Sequence, residues 1–258
     1  MKIENLGSGA RCEGLMRSIV ELGSEGRLRR DLERITVLPI PSTRDGEHVT
    51  GTDTSLSEIF SGAGEGSLII GYGIPESYAR EAASRGAETV DAALDGEFIL
   101  RNAEITALGT LGYILNTRTR VPSELAVGIV GYGRIGSALV RHLLFLGAKV
   151  RLYTSKKLTR VELGECEIET VYTDYTGAPL DFSGLDVLIN TAPADLSASF
   201  PSGAVPLGLL VIELASGNNF SGVGGVVSLQ GIPERSYPDS ATEAYLSSVL
   251  PRLLGGEV

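Results

Sequence analysis

A chain of 258 residues with 22 Lys and Arg against 32 Asp and Glu has a formal charge of -10, which lacks the clustered cations that a nucleic-acid groove or an anionic membrane surface requires. Its 43% apolar content and its length suffice for two modest α/β domains. No apolar run reaches the roughly 18 residues that span a bilayer, Met1 to Asn5 has no signal-peptide core, and the isolated Cys12 and Cys166 offer neither metal spacing nor a disulfide framework. The expectation is a cytoplasmic protein with a small-molecule site.

Taken in chain order, residues 12–22 read as a helix and 35–40 as a β-branched strand ending at Pro39 and Pro41. A short strand follows at 68–72, closed by Gly71 and Gly73. Pro75 opens a helix that runs through Arg85 with Gly86 past its end, and 88–90 is another strand. Loops rich in Gly, Ser and Thr, at 41–57 and 61–67, fall at the carboxyl edge of this sheet, where open α/β folds bind ligands. Ile105, Leu108, Leu111 and Leu115 have helical spacing and predict a helix over 101–116 that bridges two halves. Beyond Pro122, strands are expected at 126–130, 149–153, 169–172, 186–190, 209–213 and 226–229, the number of a doubly wound nucleotide-binding sheet. Ser240-Ala-Thr-Glu243 reads as a capping box that opens a last helix to about Leu254.

The stretch 125–136 is the most informative, because a buried strand runs into Gly131-x-Gly133-x-x-Gly136 and then an apolar helix at 135–146 with Gly147 at its end. Gly131 permits the tight turn, Gly133 lets backbone approach a pyrophosphate, and Gly136 lets the helix lie close on the sheet. The helix N-terminus, with Arg134 and Ile135, offers free N–H groups and a positive dipole end to phosphates. At the end of the next strand, where an NAD site places an acid, stand Thr154, Ser155, Lys156 and Lys157. Hydroxyls and ammonium groups suit a 2′-phosphate, so NADP is favoured, with NAD as the alternative. Asn190, Thr191, Ala192 and Pro193 end the fourth strand beside the expected nicotinamide ribose, and Glu213 to Ala215 ends the fifth. Glu213 is either a satisfied strand-end carboxylate or a catalytic one.

Several segments recur in a known order: Leu38-Pro-Ile-Pro-Ser-Thr-Arg44-Asp-Gly46, Arg101-Asn-Ala-Glu104-Ile-Thr106-Ala-Leu-Gly109, the glycine fingerprint, Ile189-Asn-Thr-Ala-Pro193, Glu213-Leu-Ala-Ser216, Gly231-Ile-Pro233 and Tyr237-Pro-Asp-Ser240-Ala. Over residues 35–254 the chain resembles the dipicolinate synthase A family, whose nucleotide-binding domain is similar to those of D-2-hydroxyacid dehydrogenases and adenosylhomocysteinase. The resemblance implies a two-domain, cleft-forming enzyme that oxidises dihydrodipicolinate with NADP as hydride acceptor, its companion being a flavoprotein-like B subunit. It divides the chain into a substrate-side α/β domain at 1–118 with a bridging helix at about 102–116, a Rossmann domain at 119–236, and a C-terminal helix at 237–258 packing back on the first domain. The arginine-rich link Arg27-Leu-Arg-Arg30 leaves no clear second strand, so the first domain is expected to be a truncated flavodoxin-like unit.

A dicarboxylate substrate calls for cationic or hydroxyl partners, ideally a guanidinium fork. Arg44, supported by Ser42 and Thr43, is the first candidate. Asn102, Glu104 and Thr106 at the start of the bridging helix would face the same cleft, Glu104 being either a base or a first-turn helix acid. His48 is the histidine able to reach substrate, and Tyr72 could stack on it. His142, inside the helix after the fingerprint, is read as a surface or packing residue. Neither a nucleophilic triad nor a metal cluster is evident. Other outcomes are a dehydrogenase of another small hydroxy or keto acid and a non-catalytic nucleotide-binding subunit. A homo-oligomer is expected.

Overall fold

The computed structural model describes residues 1–158, 168–175 and 179–255; Cys166 and Glu162 lie outside them. The chain divides into two units, one of Met1–Asn102 with Pro233–Val258 and one of Ala103–Ile232.

In the first unit, β1 (Lys2–Asn5), β2 (Arg34–Val37), β3 (Ser67–Gly71) and β4 (Glu88–Asp91) form a parallel sheet in that order. This is the flavodoxin-like order 2-1-3-4-5 without its outer second strand. The residues that would lead to that strand instead hold the chain end: Leu28 bridges Leu254, and Arg29 pairs with Asp31 and Glu88 at 2.5 Å each. β1 escapes a sequence reading because it is a half-exposed edge with no apolar run. α1 (Ala10–Ser24) buries Cys12, Leu15, Ile19 and Leu22. The predicted loop at 41–57 closes into α2 (Leu56–Ser61), where the Ser55 hydroxyl accepts from Ser57 N. Leu56 and Phe60 of this helix are fully buried with Leu38, Val49 and Ile69, each burial stabilising by about 2 kcal/mol. α3 (Glu76–Ser84) follows Pro75 as expected.

α4 (Gly96–Thr117) starts earlier than its apolar spacing suggests, because the Asp95 carboxylate accepts from Phe98 N at 3.0 Å. Its buried stripe also differs from the expected one. Ala103, Ala107 and Ile114 are buried beside the expected Ile105 and Leu111, whereas Leu108 and Leu115 are 39% and 49% exposed. The small alanines, silent in a hydrophobicity count, mark the packed side. After α6 (Ile232–Ser236), α7 (Pro238–Val249) corrects the capping-box expectation: Pro238 takes the first helical position after Tyr237, and Ser240 lies within the helix. Proline is preset for that place, since its fixed φ suits a first turn and its missing N–H is not needed there. The helix stops at Val249 and a 3-10 turn covers 250–252. α7 packs along α1 at Gly14, where a Cβ would come within 2.3 Å of Thr242 Cγ2.

The second unit is a six-stranded parallel sheet of β5 (Ala126–Val130), β6 (Lys149–Thr154), β7 (Glu169–Tyr172), β8 (Val187–Asn190), β9 (Leu210–Glu213) and β10 (Val226–Ser228). Its order, β10-β9-β8-β5-β6-β7, is the 3-2-1-4-5-6 order of the Rossmann sheet. Alternation along the strands feeds two cores. One gathers Val127, Ile129, Leu152, Ile189 and Ile212 with Leu139 and Leu143 of α5 (Arg134–Phe145). The other gathers Val130, Tyr153, Leu188 and Val211 with Phe182, Phe200 and Phe220. Among the described residues no helix is long and apolar enough to cross a membrane.

Candidate functional site

The turn between β5 and α5 is built so that side chains cannot enter it. Gly131 has φ +94°, and a Cβ there would stand 2.8 Å from Thr191 Oγ1. At Gly136 a Cβ would stand 2.2 Å from the Gly131 carbonyl oxygen, so helix and turn touch backbone to backbone. Gly133 differs, for nothing lies within 4 Å of its Cβ position and it is exposed. The closed side is therefore packed and the open side faces outward. No side chain caps α5, and its first turn holds no acid. Its free N–H groups and dipole are left for an anion. Arg134 is exposed and Ile135 half-buried at this end. The pyrophosphate of a dinucleotide fits this arrangement.

At the end of β6 the expected contacts divide. Thr154 is 1% exposed and its hydroxyl accepts from Lys156 N, so its side chain is engaged within the turn. Lys156 Nζ donates to the Tyr132 carbonyl at 2.9 Å, which sets an ammonium against the glycine turn. Ser155 and Lys157 line an open cavity of about 930 Å³ together with Tyr172, Thr173, Asp174, Pro179 and Leu180. The cation and hydroxyl expected for a 2′-phosphate thus border one space, which Asp174 also lines.

The ends of β8 and β9 form a hydrogen-bonded clip. Asn190 and Glu213 are register partners. Asn190 Nδ2 donates to Glu213 Oε1 and Oε2 at 3.1 and 3.2 Å, Asn190 Oδ1 accepts from Ala192 N, and Glu213 Oε1 accepts from Ala215 N at 2.7 Å. Burial raises the Glu213 carboxyl above the usual carboxylate value, and these donors only partly oppose it. Thr191 Oγ1 donates to the carbonyls of Val130 and Gly131. Asn190 and Thr191, expected as ribose donors, therefore use their side chains to fix the loop, and Ala192 is buried behind exposed Pro193.

In the first unit the loop after β2 is occupied with itself. Ser42 is fully buried, donates its N–H to Tyr72 O and accepts from Tyr72 N on its hydroxyl. Thr43 and the backbone N–H groups of Glu47 and His48 all bond the Asp45 carboxylate, which these donors hold well below its usual range. Asp45 also takes His48 Nδ1 at 2.9 Å and raises the imidazole pKa. Arg44 is exposed with no ion pair among the described residues. Glu104, expected as a base, is engaged by Arg141 Nη2 at 2.5 Å and by His142 Nε2. Thr106 is buried. Tyr72 is half-buried with its ring edge-on to Phe98 at 6.0 Å.

Sequence reasoning missed Arg11. It is 5% exposed, donates Nη2 to Asn102 Oδ1 at 2.5 Å and Nε to Ala241 O, and lies 3.7 Å from Glu234 Oε1. The available signal was its place four residues before Leu15, on the apolar stripe of α1. Among the described residues no group of His, Cys, Asp and Glu could hold a metal.

A truncated flavodoxin-like sheet and a Rossmann sheet with a closed glycine turn together define a two-unit α/β fold of the kind found in dehydrogenases. No family model matches the chain, and no curated protein matches it in sequence. Among solved structures it is similar to the dipicolinate synthase A chain from Bacillus subtilis, at 17% identity and a TM-score of 0.67 over 98% of this chain and 95% of that one. It is similar also to the corresponding dipicolinate synthase chain from Bacillus halodurans, at 19% identity and 0.64 over 99% and 98%. D-lactate dehydrogenase from Escherichia coli matches at 13% and 0.51 over 97% and 95%. At these identities the likeness is one of fold.

Proposed function

We propose that the chain is an NADP-dependent oxidoreductase of small carboxylic acids, of the dipicolinate synthase A type. The observation that carries this reading is the glycine turn closed onto Thr191 at the centre of a 3-2-1-4-5-6 sheet, with an uncapped α5 behind it. The bound dinucleotide supplies a hydride acceptor. The turn and the α5 N–H groups hold the pyrophosphate, and Ser155 with Lys157 holds the 2′-phosphate. Lys156 adds positive charge at the turn. The Asn190–Glu213 clip fixes the loops at 191–193 and 215–217, the expected neighbours of the nicotinamide ribose. Removing hydride from a dihydropyridine gains aromaticity, so the protein's task is mostly to position the ring and accept a proton. A homo-oligomer and a flavoprotein-like companion chain belong to the same reading.

The test is to mix purified chain, NADP and dihydrodipicolinate generated in situ, with a B subunit supplied. The absorbance of NADPH and of dipicolinate should rise together. No rise in either would overturn the reaction assigned. A second reading, a nucleotide-binding subunit without turnover, is favoured by the engagement of both Glu104 and His48 in ion pairs. Tight NADP binding with no turnover across small hydroxy, keto and imino acids would select it.

A further inference from the structure

One residue of the second unit is held in a backbone conformation that its side chain disfavours. Tyr175, just past β7, has φ +63°, and among the described residues it is the one non-glycine residue with a positive φ. A bulky residue persists in the left-handed region only where its surroundings hold it, and glycine or asparagine takes the same turn at less cost. Two bonds hold Tyr175. Its N–H donates to Thr173 Oγ1 at 3.0 Å, and its hydroxyl donates to Tyr153 O at 3.0 Å. That same carbonyl accepts from Gly131 N at 2.8 Å, so the first glycine of the turn and the Tyr175 hydroxyl share one acceptor near the end of β6. Thr173 N donates to Thr154 O at 3.0 Å, which ties the segment past β7 to the same place. The Tyr175 ring packs on the core cluster that contains Val130 and Tyr153. Burial raises its phenol above the usual pKa, and polar groups of Thr154, Ser155 and Gly131 oppose that rise, so these three residues face the hydroxyl. Ser155 and Thr173 in turn line the open cavity with Lys157.

We propose that Tyr175 is a positioning residue for the 2′-phosphate: its hydroxyl fixes the end of β6 against Gly131 and so sets where the Ser155–Lys157 turn stands relative to the glycine turn. The proposal rests on the reading of the chain as an NADP enzyme, and it adds to that reading a residue outside both turns. The two turns grip two phosphate groups of one molecule, and the covalent ribose fixes the span between those groups. A tether on that span therefore acts on affinity for the dinucleotide that carries both. Without the hydroxyl, Gly131 N keeps Tyr153 O and the Gly131 carbonyl keeps Thr191 Oγ1. The pyrophosphate seat shared by NADP and NAD thus stands. The Ser155–Lys157 turn, which serves NADP alone, loses its tether.

The experiment titrates the whole chain, Tyr175→Phe and Tyr175→Asn with NADP and with NAD by calorimetry, and follows the thermal melting of each. Tyr175→Phe keeps the ring and is expected to melt within about 3 °C of the unaltered chain. It should bind NADP about fivefold to tenfold more weakly, with less than about twofold change for NAD. Tyr175→Asn suits the left-handed turn but is too short to replace the hydroxyl at Tyr153 O, and it should show the same preferential loss of NADP. Unchanged NADP affinity in Tyr175→Phe would overturn the proposal. Equal losses for the two dinucleotides would mark a role in folding alone and overturn it as well. So would a gain in affinity, which would mean that the ring stands where the adenosine must go. An unaltered chain that binds neither dinucleotide would instead overturn the functional reading itself, and the proposal with it.

Discussion

Exchanging the partners of the Asn190–Glu213 clip should leave it intact, while changing either alone should break it. In Glu213→Gln, one oxygen can still serve Ala215 N, but the new amide meets Asn190 Nδ2 donor to donor at the 3.2 Å contact. Losing a charge-assisted bond and stranding a buried donor costs about 2–3 kcal/mol. Asn190→Asp instead sets two carboxylates where 3.1 and 3.2 Å contacts now stand. Such a pair shares one proton and has a raised pKa, so its stability is present at low pH and lost as pH rises through that value. The Asn190→Asp deficit should therefore be small near pH 5 and reach about 3 kcal/mol near pH 8. In the double variant the new amide at position 213 donates to the new carboxylate at position 190. That carboxylate accepts from Ala192 N, and the amide oxygen accepts from Ala215 N. The loop contacts return, and the bond between the two side chains reappears with its direction reversed. Urea unfolding of the four proteins at pH 8 should give a coupling of about 3 kcal/mol in favour of the double variant. Single losses that simply add in the double variant would refute the clip.

Gly136→Ala should cost about 1–3 kcal/mol in urea unfolding and abolish NADP binding by calorimetry, since the added Cβ meets the Gly131 carbonyl at 2.2 Å; a stable variant that still binds would contradict the closed turn. Replacing Lys156 and Lys157 together by Glu should weaken NADP at least about tenfold more than NAD, and equal losses would sink the assignment of this turn to the 2′-phosphate. The Cys12 thiol, raised by burial from 9.0 to about 11, contributes stability that is complete below pH 9 and lost as pH climbs toward 11. Cys12→Ala should flatten that slope, by at most about 3 kcal/mol, and an unchanged slope in alkaline denaturation would argue against it.

The six strands of the second unit and its glycine turn were legible because their signals are local: apolar runs of strand length, and glycines at fixed spacing between a strand and a helix. What escaped is what depends on distant partners. Arg11 meets Asn102 and Ala241, 91 and 230 residues away, and no local pattern announces that a guanidinium will be buried there. The Asn190–Glu213 pair depends on two strands lying in register. Both residues were noticed, but as ligand contacts rather than as each other's partners. The loop around Arg44 shows the opposite case. Its charged and hydroxyl composition suggested a substrate site, yet Thr43, Asp45 and His48 bond one another. Glu104 likewise faces Arg141 and His142, which a reading of its own helix could not place. The capping-box pattern at Ser240 lost to Pro238, which begins the helix before it.

Calorimetric titration of the whole chain with NADP and with NAD tests the central claim most directly, since the proposed chemistry depends on a dinucleotide at the glycine turn. One NADP should bind per chain, at least about tenfold more tightly than NAD. The absence of heat from either dinucleotide at millimolar concentration would contradict the account.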